Sequence, residues 1–167
     1  MKCSIALMFI IFTGITSLSS SYAETPESIR QAFFQRCAKP VFYAQTANHK
    51  KEVEICMASP SVSYSFGKIS AHSKEMDIMV PVKSTSFASQ SNQIYSISEF
   101  TIRNGDTSYQ VASGSNDEGL PFATLDVYKG PAGTGKHLAQ IKLAPNTVVN
   151  NISYTLTEEG IPESDSL

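Results

Sequence analysis

The sequence predicts a mainly β fold: an antiparallel barrel or sandwich of seven to eight strands with one N-terminal helix. Three observations carry this expectation. Apolar and polar residues alternate in successive short runs from Val53 onward, the period of strands with one buried face. Asn104-Gly105 stands between two such runs and is a strong short-range hairpin signal. Thr25-Pro26-Glu27 opens the one segment with clear helical spacing, offering a capping hydroxyl, a proline at the first helical position and an acid in the first turn.

Taken in order, the elements begin with a helix from Thr25. Ile29, Phe33 and Arg36, with Ala32 and Cys37 beside them, form a stripe at helical spacing, and the helix stops before Pro40 because a residue preceding proline disfavours helix. Strands follow around Val53 and Ile55, around Val62, Tyr64 and Phe66 up to Gly67, and around Met76, Ile78 and Val80 before Pro81. In the hairpin of residues 94–113, Asn104 and Gly105 are expected as the central turn residues, both with positive φ. Arg103 then faces Asp106, Ile102 faces Thr107 and Phe100 faces Tyr109. Phe100, Ile102, Tyr109 and Val111 fall on one face, and Glu99, Thr101, Ser108 and Gln110 on the other. In a second hairpin over 122–143, Ala123, Leu125 and Val127 alternate with Thr124, Asp126 and Tyr128, and Ala139, Ile141 and Leu143 alternate with Gln140 and Lys142; a last strand is expected near Val148–Leu156.

Composition bounds the class. The chain has 167 residues, 41% hydrophobic and 17% charged, with net charge −2 and pI near 5.9. That is enough apolar side chain to offset chain entropy in a single domain. The charge balance excludes a strongly basic nucleic-acid binder and supplies no attraction to anionic membrane. Lys2, the apolar run Ile5–Ile15 and the small residues Ser21 and Ala23 predict a signal peptide over 1–23, cut after Ala23. The run is too short to cross a hydrocarbon core of ~30 Å comfortably, so no membrane span is expected after signal removal, and the protein is expected to be periplasmic or secreted. A single β-rich domain is expected over 24–157, and Glu158–Leu167 reads as a disordered acidic tail.

Cys3 leaves with the signal. Cys37 and Cys56 remain as an even pair in an oxidising compartment, which predicts a disulfide. Closing a loop of ~20 residues contributes on the order of 3 kcal/mol in the chain-entropy view. Neither cysteine belongs to a CxxC, and no histidine lies at ligand spacing from either.

Gly130-Pro131-Ala132-Gly133-Thr134-Gly135-Lys136-His137 approaches the phosphate-binding pattern GxxxxGK[ST], but His137 replaces the metal-holding hydroxyl and the following residues alternate like a strand rather than opening a helix. The segment reads as a glycine-rich hairpin loop of roughly eight residues, and no nucleotide or other cofactor is expected. His49, His72 and His137 are scattered. Ala112-Ser113-Gly114-Ser115 lacks the first glycine of a nucleophile elbow. Ser115-Asn116-Asp117-Glu118-Gly119 lacks calcium-loop spacing. No catalytic and no metal-binding residue is expected. Asn151-Ile152-Ser153 is a glycosylation sequon by pattern, inside an expected strand. The residues expected to contact a partner are the stems of the long loop: Tyr128 and Lys129 entering it, Lys136 and His137 leaving it.

Val53-Glu54-Ile55-Cys56, the run Val62–Lys68, Phe100–Asp106 with Ser108-Tyr109, Val127-Tyr128-Lys129 and Ala139-Gln140-Ile141 together resemble small exported proteobacterial proteins, mostly uncharacterised, over about residues 50–143. In that pattern a final strand often carries a second cysteine. Leu143-Ala144 has none, which leaves Cys37 as the partner of Cys56. The resemblance implies a β-rich exported domain and transfers no catalytic residue. In size, address and architecture the chain is also similar, more distantly, to periplasmic lysozyme inhibitors. The expected function is that of an exported envelope binding protein with another envelope protein as partner, such as an inhibitor or immunity protein acting on a wall-degrading enzyme. The alternatives are a structural or accessory envelope protein without enzymatic activity, and a hydrolase, which predicts titratable side chains converging in one pocket.

Overall fold

The computed structural model describes residues 24–164. The expected signal peptide lies outside them. Helix α1 (Pro26–Arg36) is followed by strands β1 (Pro40–Gln45), β2 (Lys51–Ala58), β3 (Ser61–Lys68) and β4 (Met76–Pro81). Next come β5 (Thr85–Ser91), β6 (Ser96–Asn104), β7 (Thr107–Ser115), β8 (Pro121–Lys129) and β9 (Lys136–Lys142). The short β10 (Val149–Asn150) leads directly into helix α2 (Ile152–Glu158). The fold is mainly β, as expected. There are ten strands and two α-helices among the described residues, in place of seven to eight strands and one helix.

All pairings are antiparallel and form two five-stranded sheets, ordered β10-β1-β2-β3-β4 and β5-β6-β7-β8-β9. Their inner faces share one sandwich-like core. Phe42, Val53, Ile55 and Tyr64 come to it from the first sheet, and Phe100, Ile102, Val111 and Leu125 from the second. The Tyr64 and Tyr109 rings meet across it with centroids 5.1 Å apart. The two sheets also touch where Thr46 bridges Leu143.

Helix α1 starts as the sequence predicts. Thr25 accepts from the Ser28 amide at 3.2 Å, and Pro26 occupies the first turn. Ile29 and Phe33 are buried with Tyr43, Val149 and Cys37 in a second, smaller cluster on the outer side of the first sheet. Cys37, the residue after the helix, is bonded to Cys56 on β2. Arg36 adds an ion pair to Glu54 at 2.8 Å.

Two expectations are corrected. The tight turn of the β6–β7 hairpin is centred on Gly105-Asp106, not Asn104-Gly105, so Asn104 faces Thr107, Arg103 faces Ser108, Ile102 faces Tyr109 and Phe100 faces Val111. Only Gly105 has positive φ (+58°), which matches a turn with glycine at its first central position and removes the need for positive φ at Asn104. The register moves by two residues, so every side chain keeps its expected face. The strand expected near Val148–Leu156 survives only as β10. From Ile152 the chain is helical, because Ile152, Thr155 and Leu156 at helical spacing all bury on one side. Asn151 of the sequon precedes that helix and does not sit in a strand.

The segment expected to be a tail begins in the last turn of α2. Ile161 packs against the main core, and the Ser164 amide donates to the Phe87 carbonyl at 2.7 Å. No helix among the described residues is long and apolar enough to cross a membrane.

Candidate functional site

Alternation sends one set of side chains from β6–β9 into the core and the other set onto the outer face of the second sheet. Two cross-strand rows result. Thr101, Gln110, Asp126 and Gln140 follow one another in register, and beside them run Arg103, Ser108, Tyr128 and His137. Glu99 stands next to the first row on β6. Glu99, Thr101, Arg103, Ser108, Gln110 and Tyr128 of this face form the floor of a cavity of about 810 Å³, with Pro131–Thr134 of the loop on one side and residues 83–88 on another.

The outer face is tied together by hydrogen bonds. Asp126 is buried, and its Oδ1 is 2.8 Å from His137 Nε2 and accepts from Gln140 Nε2 at 3.0 Å. Gln110 Nε2 donates to Glu99 Oε2 at 3.0 Å. Burial, and secondarily the Asp126 charge, raise the Glu99 carboxyl above its ordinary range. Burial and the same two carboxylates also raise the Tyr128 hydroxyl. The Tyr128 ring lies 5.0 Å from the His137 imidazole, tilted against it.

The loop is shorter and tighter than its glycines suggest. Strand pairing runs out to Lys129 and Lys136, leaving six residues, Gly130–Gly135, between the strands. The Gly130 amide donates to the Asp106 carbonyl at 2.6 Å, and Ser108 Oγ donates to the Gly130 carbonyl at 2.7 Å. The Gly135 amide closes the loop onto the Pro131 carbonyl at 2.7 Å. A Cβ on Gly135 would stand 2.5 Å from the Lys129 carbonyl oxygen and 2.6 Å from that of Pro131, so the close approach needs glycine there. Lys136 begins a strand rather than a helix, a context unlike that of a phosphate-binding loop.

Of the four residues expected to contact a partner, Tyr128 lines the cavity, while His137 is bonded to Asp126 beside it and does not line it. Lys129 and Lys136 face one another at the exposed end of the hairpin. Hairpin alternation assigns Glu99, Thr101, Ser108 and Gln110 to one face, but sequence reasoning gave them no functional weight. Joining the registers of the two hairpins puts them on the same face as Tyr128 and His137 and is the signal that could have found the site.

A second cavity of about 790 Å³ lies between α1 and α2, with Phe34 and Tyr154 exposed at it. Among the described residues no group of three or more His, Cys, Asp or Glu is placed to hold a metal ion. No family model, no curated protein and no solved structure matches the chain.

Proposed function

We propose that the protein is an exported binding protein of the bacterial envelope, without enzymatic activity, whose ligand site is the groove between the outer face of the second sheet and the 130–135 loop. One observation carries this reading. The loop, whose composition suggests a flexible insertion, is hydrogen-bonded through Gly130 and Gly135 into one conformation alongside a polar floor. An ordered loop on a rigid sheet avoids the ordering entropy that a flexible one loses on binding. The leader-like sequence of residues 1–23 and the Cys37–Cys56 disulfide support export.

An inhibitor acting on a wall-degrading enzyme needs a protruding element to enter the enzyme's cleft. Here the loop lines a concavity on its own sheet, a form that favours receiving a ligand over plugging a cleft. The hydrolase reading draws on the convergence of Glu99, Asp126, Tyr128 and His137. Against it, the nearby Ser108 hydroxyl donates to the Gly130 carbonyl and not to His137, so the two form no nucleophile–base pair. The test replaces Gly130–Gly135 by Asn-Gly. The expected result is an unchanged melting temperature with loss of whatever the wild-type protein retains from envelope extract. Retention at full affinity overturns the groove as the site.

A further inference from the structure

Resting on that reading of the groove, we infer that its ligand is a neutral oligosaccharide, recognised through its hydroxyl groups by Glu99, Gln110 and Thr101 and through its ring carbons by Tyr128. The charges point away from an ionic ligand. The half-buried carboxylate of Glu99 is on the floor, while Lys83 and Arg103 are exposed at the rim. An anion meets the first and a cation meets the other two. A hydroxyl-rich neutral molecule uses both, because each hydroxyl donates to a carboxylate and accepts from an amide, guanidinium or ammonium.

The hydrogen bond between Gln110 Nε2 and Glu99 Oε2 holds two planar polar groups side by side, a pairing that suits adjacent hydroxyls on a sugar ring. Tyr128 supplies an apolar ring with a hydroxyl at its edge, suited to a molecule that is apolar over its C–H face and polar around its rim. The cavity, about 810 Å³, falls within the range of small-ligand sites. An extended peptide is a poorer fit. Peptides that bind sheets pair with a free strand edge; β5, which bounds the groove through Thr85–Ala88, is such an edge, but the floor residues Glu99, Gln110 and Tyr128 lie on β6, β7 and β8, which have partners on both sides. Recognition here falls to side chains, and these side chains offer both donors and acceptors.

The test follows backbone amide resonances of the folded 24–167 chain during separate titrations. The probes are three neutral tetrasaccharides (chitotetraose, cellotetraose and maltotetraose), tetralysine and tetraglutamate. The expected result is that at least one saccharide shifts amides of β6–β8 and of the 130–135 loop. Tyr128→Ala and Gln110→Ala should each weaken that binding about tenfold or more, since a site built on hydroxyl contacts loses most when a partner is removed. Tyr154→Ala, at an exposed position of α2, serves as a folded control with unchanged affinity. Shifts in the groove from tetralysine or tetraglutamate alone overturn the saccharide while leaving the groove a binding site. Silence from every probe overturns both. Cleavage of a bound tetrasaccharide supports the ligand class and overturns the non-enzymatic reading.

Discussion

Glu52 is 3% exposed, and its carboxylate is surrounded by donors. Lys74 Nζ reaches it at 2.5 Å, the Tyr43 hydroxyl at 2.7 Å and the Ser70 amide at 3.1 Å. Burial alone pushes the carboxyl upward, but the bonds from Lys74 and Tyr43 outweigh it and hold the group below its ordinary range. Burial together with the bond to Glu52 pushes the Tyr43 hydroxyl up. A carboxyl depressed in the folded state contributes stability that is full above its unfolded value and is lost as pH falls through its folded value. Glu52→Gln should therefore flatten the acid limb of the stability curve below about pH 4. At neutral pH it should cost about 3 kcal/mol, because Lys74, itself only 14% exposed, is left without its counter-charge. Urea titrations at several pH values check both effects. A variant with the wild-type slope and midpoint removes Glu52 from the account.

At the scale of elements, what was legible followed from one-sided burial. In strands β2, β3, β6, β7 and β8 the core-facing positions are mostly apolar and those on the other face mostly polar, so the apolar residues alternate visibly. β1 was missed because it hides both: the sandwich core covers Phe42 and Ala44 while α1 covers Tyr43, and a strand buried on two sides reads as an apolar run with no period. β5 carries too few apolar residues to register, with Phe87 and Ala88 its only buried positions. The region 152–158 misled for the opposite reason. Its β-branched and aromatic residues favour strand, yet docking Ile152 and Leu156 into the core outweighs that propensity. The groove was half legible. The polar face was in the alternation, but bringing Glu99 beside Asp126 required the pairing of two separate hairpins.

The Cys37–Cys56 bond needed no such long-range information, and its role is local. It fastens the end of α1 to β2 beside the buried Ile29 and Phe33, which contribute roughly 1.5–3 kcal/mol each by burial. Reduction should lower stability by about 3 kcal/mol. It should also speed tryptic cleavage at Arg30 and Arg36 ahead of sites in the strands, because the helix then depends on its apolar side and on exposed or half-exposed polar ties such as the Arg36–Glu54 pair. Equal cleavage rates with and without reductant rule out this fastening role.

For the molecule as a whole, the core is one body to which both sheets and the C-terminal helix contribute. Ile152 and Leu156 are fully buried with Phe42 and Val53 from one sheet and Phe87 and Phe100 from the other, so α2 closes the sandwich rather than decorating it. The last turn is fixed further. Thr155 Oγ1 donates to the Pro40 carbonyl at 2.7 Å, and the Ile161 amide donates to the Leu156 carbonyl at 3.0 Å. If the two sheets were stabilised separately, loosening the helix would leave one of them standing. A shared core predicts the reverse. Leu156→Ala should cost about 2–5 kcal/mol through the cavity it leaves, and both sheets should melt in one transition. Strand content by circular dichroism and the burial of Tyr64 and Tyr109, read by tyrosine fluorescence, should then give the same midpoint in urea. Two separated midpoints would show that the sheets fold as independent units and that α2 stabilises only one of them.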